Sequence, residues 1–211
     1  GDHGRLNAKI SPGGLVDLEY SVQILQVMLG RNNPALRTPR IHEALSALVT
    51  AGEIDQEESE RLVGAYRFLR QLINGLRMLR GNAQDLFLPD VGSLEFMHLA
   101  RRAGYRGRGN LTPAEELRVE FETRTAEVRA FVEEQLGKEA LPGNTAGNIA
   151  DLVVTEHMEP ERYQEILQPA GFRDPERAYR NLKGLAGGGE RRYRFAELSI
   201  LAWDLLLDSP D

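Results

Sequence analysis

The residues best suited to chemistry lie in one short stretch near the amino terminus, from Lys9 to Glu19. Two glycines, Gly13 and Gly14, weaken a helix start by about 1 kcal/mol each relative to alanine, and they suit a place where something must approach the backbone closely. The carboxylates of Asp17 and Glu19 favour the positive end of a helix dipole, and the Lys9 ammonium could meet a phosphate as a point charge. Two interpretations are open: a helix start that faces a ligand or partner, or helix-dipole complementarity combined with packing pairs.

A second candidate group is a set of arginines on one long predicted helix: Arg70, Arg77 and Arg80. Arg70 and Arg77 are seven residues apart and share one stripe of the helix, and Arg80 follows Arg77 by three positions. The stripe is either a patch for an acidic partner or phosphate, or a solvated face with extended aliphatic stems. We predict no metal site, because the chain has no cysteine and its four histidines lack metal-ligand spacing.

Composition limits the remaining classes of function. The chain has 211 residues, of which 41% are hydrophobic and 27% charged, as in an ordinary globular protein. A formal net charge of −6 argues against broad nucleic-acid binding, which usually needs a basic face. No apolar run is long enough to span a bilayer, and no signal peptide is visible, so the cytoplasm is the expected compartment. Because the first residue is Gly1 and not methionine, we expect a piece of a longer protein.

The elements that must position these residues are helices. Apolar residues recur at three- to four-residue spacing and period-two runs of β-branched residues are absent, which predicts an all-α fold. We expect an antiparallel bundle of about five helices over 1–137, a linker over 138–150 and a smaller helical module over 151–211. Ser11 with Pro12 predicts a helix that begins at residue 12, and Thr38 with Pro39 predicts the cap of the second helix. Met78 and Met97 are expected in the core.

The segment from Lys9 to Tyr20, with the continuation from Val22 to Gln26, resembles the opening of the helical domain in the glutamine synthetase adenylyltransferase/adenylyl-removing family. Residues 33–39 precede a second helix, as in that family, and residues 65–79 and 88–89 resemble the third helix and the exit of that domain. The stretch from Gly171 to Glu176 is similar to the helical segment located after it. The resemblance is strong over about 1–136 and weaker over 150–211.

This resemblance implies a non-catalytic helical portion that helps control the reversible adenylylation of glutamine synthetase in nitrogen regulation. The family's catalytic domain carries a Gly-Ser turn followed by Asp-x-Asp, a motif that we do not find in this chain. We therefore expect the parent enzyme, and not this chain, to use ATP and Mg²⁺. The implied partners are the parent's nucleotidyltransferase domain, glutamine synthetase and the PII signal protein. Lys9, Gly13, Gly14, Asp17 and Glu19 would face a nucleotide or the catalytic domain.

Alternatives remain open at this stage. The chain could be the equivalent helical domain of a PII uridylyltransferase-type enzyme, or a stand-alone helical adaptor. The stretch Gly14 to Glu19 resembles the adenylylating half of the family enzyme, whereas Gly171 to Pro175 resembles the segment after the deadenylylating half, so the half stays unassigned. From the paired glycines we expect Gly14→Val to impair docking or activity far more than folding.

Overall fold

The computed structural model describes residues 6–81, 86–137 and 147–207, with the side chains of residues 190 and 204–207 excepted. Within these ranges the chain is all-α, as predicted, with nine α-helices and one short 3-10 turn at Pro34–Leu36. The helices are α1 Leu15–Leu29, α2 Ile41–Ala51, α3 Gln56–Arg80, α4 Leu94–Arg102, α5 Pro113–Leu136, α6 Ile149–Val154, α7 Pro160–Leu167, α8 Pro175–Ala186 and α9 Glu190–Leu207. No helix among the described residues is long and apolar enough to cross a membrane.

Helix α5 is the element on which the other helices converge. One side packs against α1, α3 and α4, and another side packs against α6 and α9. Three clusters of buried apolar side chains result, and each contains residues of α5: Phe131 in the first, Phe121 in the second and Ala126 in the third. Because α5 supplies residues to all three clusters, it joins the amino-terminal helices to the carboxy-terminal ones.

Local sequence signals explain where several helices begin. Asp55, Ser93 and Thr112 each accept a hydrogen bond from a backbone N–H in the first turn of α3, α4 and α5, respectively. Thr112 forms a full capping box with Glu115, which satisfies two backbone N–H groups that would otherwise lack partners. Each of these three helices begins at the residue after its capping side chain.

Two predicted helix starts are wrong. Helix α1 begins at Leu15 and not at residue 12, because Gly13 has a left-handed backbone with φ of +77° and Ser11 accepts its hydrogen bond from the Asn7 N–H. Helix α2 begins at Ile41, with Arg40 as the extended residue before it. The Thr38 hydroxyl accepts from the Arg40 N–H and donates to the Glu43 carboxylate, so it organises the turn before the helix.

The carboxy-terminal helices form the third cluster with one side of α5. Tyr163 and Tyr179 stack at 4.8 Å between ring centres, and Phe172 stacks on Trp203 at 5.9 Å. The proposed linker falls largely on residues 138–146, which lie outside the described residues, so the division into 1–137 and 151–211 stays a prediction. Met97 packs against the second cluster, but Met78 is 65% exposed, so its assignment to the core is wrong.

Candidate functional site

The chain enters α1 through a compact glycine turn, residues 7–14, that is closed by its own backbone. The Asn7 side chain accepts hydrogen bonds from the N–H groups of Lys9 and Ile10. Farther along, the Gly14 N–H donates to the Ser11 carbonyl at 2.7 Å. The turn is anchored to a second segment, because the Ala8 N–H donates to the Leu86 carbonyl at 3.1 Å. These bonds give the glycine turn one defined shape.

The paired glycines are required by close backbone contacts inside the molecule. A Cβ on Gly13 would lie 2.2 Å from the Thr125 carbonyl oxygen of α5, and the residue has a positive φ that favours glycine. A Cβ on Gly14 would lie 2.7 Å from the Ser11 carbonyl oxygen. Both glycines are buried. The sequence correctly indicated a close approach to this backbone, and the group that approaches Gly13 is helix α5 of the same chain.

The charged residues of the stretch differ in exposure and in their partners. The Asp17 carboxylate accepts from the Gly13 N–H at 2.8 Å and is half-buried. Burial raises its pKa, and this effect outweighs the opposing effects of the Gly13 hydrogen bond and the Arg129 charge. Glu19 is also partly exposed, on the first turns of α1, and Lys9 is exposed in the turn. Asp17 therefore has a structural partner, whereas Lys9 is accessible to a partner or ligand.

An arginine that the sequence analysis missed holds the glycine turn in place. Arg129 of α5 donates to the Pro12 carbonyl at 3.0 Å, and its guanidinium also forms two hydrogen bonds of 2.7 Å with the Asp151 carboxylate of α6. Both side chains are less than 10% exposed. The sequence gives only a weak indication of this role. Arg129 follows Val128, an apolar residue that is buried in the first cluster, and a charged residue next to a buried position is a candidate for a buried ion pair.

The electrostatics of this buried pair favour the ionised carboxylate. Burial alone would raise the pKa of Asp151, but the Arg129 guanidinium and the Asn148 N–H hold it below its usual range. One guanidinium therefore joins three elements: the glycine turn, α5 and α6. A bidentate arginine–carboxylate pair also fixes orientation, so α6 and the turn are held in register across α5.

The arginine stripe of α3 is only partly available. Arg70 and Arg77 are exposed, and Arg70 lies over the Tyr66 ring at 5.6 Å. Arg80 is different, because its side chain is 11% exposed and pairs with Glu95 of α4 at 3.0 Å. The patch predicted from three arginines therefore has two accessible members, and whether it binds an acidic partner stays a prediction.

Helix α1 also carries large apolar side chains on its outer surface. Tyr20, Val27 and Met28 are between 62% and 82% exposed, and they are spaced at positions i, i+7 and i+8. Residues at this spacing lie on one side of a helix. We call these three residues the outer face of α1. This face was not predicted from the sequence, in which only the buried stripe of Leu18, Val22 and Leu25 was assigned.

Comparisons with known proteins agree on one family. The family model described as GlnD PII-uridylyltransferase matches residues 3–136. Curated relatives carry the name bifunctional glutamine synthetase adenylyltransferase/adenylyl-removing enzyme. The protein from Xanthomonas oryzae is 41% identical over 68% of this chain, and the protein from Corynebacterium diphtheriae is 27% identical over 98%. The chain spans 16% and 19% of the length of these two relatives. No solved structure matches the chain.

Proposed function

The chain belongs to the GlnD PII-uridylyltransferase family, and on this premise we propose that it is the helical, non-catalytic docking and regulatory portion of a glutamine synthetase adenylyltransferase-like protein. In this role it helps to control the reversible adenylylation of glutamine synthetase in nitrogen regulation, in the cytoplasm. The names of its curated relatives support an adenylyltransferase-like parent. A PII uridylyltransferase-type parent is the second candidate, because the matching family model carries that description.

The observation that carries the docking role is the outer face of α1 beside a rigid glycine turn. An exposed row of tyrosine, valine and methionine on a helix is typical of a surface that another protein covers. The turn that precedes it is held by Arg129 and shaped by Gly13, so the surface has its form before a partner arrives. A preformed surface binds at a lower entropic cost than a mobile one.

We propose that the occupant of this face is the nucleotidyltransferase domain of the same parent protein. The relatives are five to six times longer than the segment they share with this chain, which leaves room for such a domain. Lys9, exposed at the start of the turn, would face the same domain. Glutamine synthetase and the PII protein are the further partners in this proposal.

ATP and Mg²⁺ belong, in this account, to the catalytic domain of the parent. Mg²⁺ in nucleotidyl transfer needs clustered carboxylate ligands. Among the residues that the structure describes, no group of three histidine, aspartate or glutamate side chains could hold a metal ion. The Asp17 carboxylate accepts a hydrogen bond from the Gly13 N–H, so it is less available as a metal ligand.

A transfer assay tests the non-catalytic part of the proposal. The pure chain, incubated with glutamine synthetase, Mg²⁺ and labelled ATP, is expected to transfer no AMP. The matched control is the full-length Xanthomonas oryzae relative, which should label glutamine synthetase under the same conditions. Incorporation of AMP by the pure chain would refute the non-catalytic role.

A further inference from the structure

A charged cleft lies between α3, α5 and α9. It is on the side of α5 that faces away from the glycine turn. It consists of two neighbouring cavities of about 600 and 620 Å³. Arg61, Glu127 and Tyr193 line both cavities, so they form the wall between them. The Arg61 guanidinium lies over the Tyr193 ring, 4.2 Å from the ring centre, and this contact holds the two side chains of the wall together.

The cleft is strongly acidic. Ten carboxylates line the two cavities, against four guanidinium groups, which leaves an excess of six negative charges. This excess equals the formal net charge of −6 of the whole chain, so the rest of the molecule is balanced and the cleft carries the imbalance. Concentrated charge of one sign in a concave site attracts the opposite charge more strongly than the same charge spread over a surface.

Three carboxylates of the first cavity lack a cationic partner in the part of the chain that is described: Asp55, Glu58 and Glu134. The charges of Asp55 and Glu134 act on the pKa of Glu58. Burial raises the pKa of Glu58 to about 7, and the charges of Glu134 and Asp55 add to this shift while Arg61 opposes it. The opposing guanidinium is itself paired with Glu57 at 2.7 Å. A further cation in this cavity would therefore relieve an existing repulsion.

Two buried hydroxyl groups on the cleft walls also lack partners. Thr155 lines the first cavity and is 6% exposed, and Thr123 lines the second and is 4% exposed. The Oγ1 atom of each has no hydrogen-bond partner among the described residues. A buried hydroxyl without a partner costs free energy, so each of these is an available acceptor for an N–H donor that enters the cleft.

The remaining wall of the first cavity is apolar. It includes Leu62, Phe131 and Val154, with the Tyr193 ring at one end. A hydrated metal ion gains nothing from such a wall, and no group of three suitable ligands exists among the described residues. Methylene groups, in contrast, pack well against it. The combination of carboxylates, hydroxyl acceptors and apolar wall therefore fits an organic cation better than an inorganic one.

We propose that the cleft between α3, α5 and α9 is a binding site for an alkylammonium ligand of the polyamine class. One ammonium group binds among Asp55, Glu58 and Glu134, within reach of the Thr155 hydroxyl. The methylene chain lies on the apolar wall, and a second ammonium group reaches the second cavity, where the exposed Glu197 lies. This site is separate from the outer face of α1, and it does not depend on the proposed docking role.

The test is a calorimetric titration of the whole chain with spermidine at pH 7.5 and moderate salt. We expect saturable binding, with affinity that falls at least tenfold in the variant Glu58→Gln/Glu134→Gln. The matched control Glu165→Gln/Glu176→Gln removes the same charge from exposed positions outside the cleft and should bind as the unchanged chain does. Equal loss in both variants, or no saturable binding, would overturn the proposal.

Two further arms separate this site from general charge screening. Mg²⁺ at matched ionic strength, or a lysine-rich peptide, should not reproduce the saturable heat; if either binds as tightly as spermidine at this site, the proposed ligand class is wrong. Thr155→Val should weaken spermidine binding severalfold while the fold stays at least as stable, because valine removes an unpaired hydroxyl of similar size. Unchanged affinity in Thr155→Val would remove the hydroxyl from the site.

Binding should also tighten as the pH rises from 6 to 8. Burial raises the pKa of Glu58 and of Glu127 to about 7, so both carboxylates gain charge in this interval. The charged and titratable groups that line the cavity with Glu58 are Asp55, Arg61, Glu127, Glu133, Glu134, Glu156, His157, Arg192 and Tyr193. Affinity that is constant over this interval would contradict the assignment of Glu58.

Discussion

At the scale of single residues, Gly13 and Arg129 determine the conformation of the glycine turn. Gly13 allows α5 to approach the turn, and Arg129 ties the turn's Pro12 carbonyl to Asp151 of α6. The glycines were visible in the sequence because two adjacent glycines at a helix start are costly. The role of Arg129 was not visible, because its two partners lie 117 and 22 residues away in the chain and no local pattern connects them.

Gly13→Ala should destabilise the fold by at least about 2 kcal/mol, since its Cβ would overlap a backbone carbonyl and the residue has a positive φ. Gly92→Ala is the matched control, because nothing lies within 4 Å of its added Cβ. Urea unfolding monitored by circular dichroism measures the free energy of unfolding of both variants.

Gly14→Val should lower the stability of the fold together with docking, because the added Cβ would lie close to the Ser11 carbonyl oxygen. This revises the expectation drawn from the sequence.

Arg129→Met should cost about 3–5 kcal/mol of stability, because it leaves the Asp151 carboxylate buried without its counter-charge. Arg67→Met, at an exposed position of α3, should change the free energy of unfolding by no more than about 0.5 kcal/mol. Thermal and urea unfolding provide the measurement. If the two variants lose equal stability, the buried pair does not have the structural role described.

At the scale of elements, the periodic pattern predicted an all-α fold with about five helices over 1–137, and five α-helices, α1 to α5, lie in the described part of that range. The errors occurred at the starts of α1 and α2. At α1 and α2 a serine or threonine followed by proline resembles a cap, but the hydroxyl is used in the preceding turn. Such competition between local hydrogen bonds cannot be resolved from residue types alone.

The outer face of α1 leads to a prediction about docking. Tyr20→Ser/Val27→Ser should leave the unfolding free energy nearly unchanged, because both side chains are exposed, yet it should weaken binding to a nucleotidyltransferase domain by at least tenfold. The domain of the Xanthomonas oryzae relative is a suitable partner for a pull-down or surface-binding assay. Leu185→Ser/Leu198→Ser, at exposed apolar positions of α8 and α9, is the control and should bind normally.

At the scale of the whole molecule, α5 unites the amino-terminal and carboxy-terminal helices, and the acidic cleft lies where the two groups meet. The sequence indicated an all-α fold and a net negative charge. It could not indicate that this charge is concentrated, because the carboxylates that line the cleft come from α3, α5, α9 and the segment after α6. Their proximity depends on tertiary packing.

This concentration makes stability depend on pH in a defined direction. Glu58 and Glu127 have a pKa of about 7 in the folded chain, raised mainly by burial, against about 4.3 in unfolded chains. The folded state holds these protons more tightly, so their stabilising contribution is complete below the unfolded value and is lost as the pH rises through about 7. Urea midpoints should therefore be higher at pH 5.5 than at pH 8. Glu127→Gln should flatten this dependence, and a midpoint that rises with pH would contradict the account.

The most direct test of the proposed function is a calorimetric titration of this chain with glutamine synthetase, with the PII protein and with ATP in turn. We expect saturable binding to at least one of the two proteins and no binding of ATP. Tight binding of ATP, without binding to either protein, would contradict the proposed docking role.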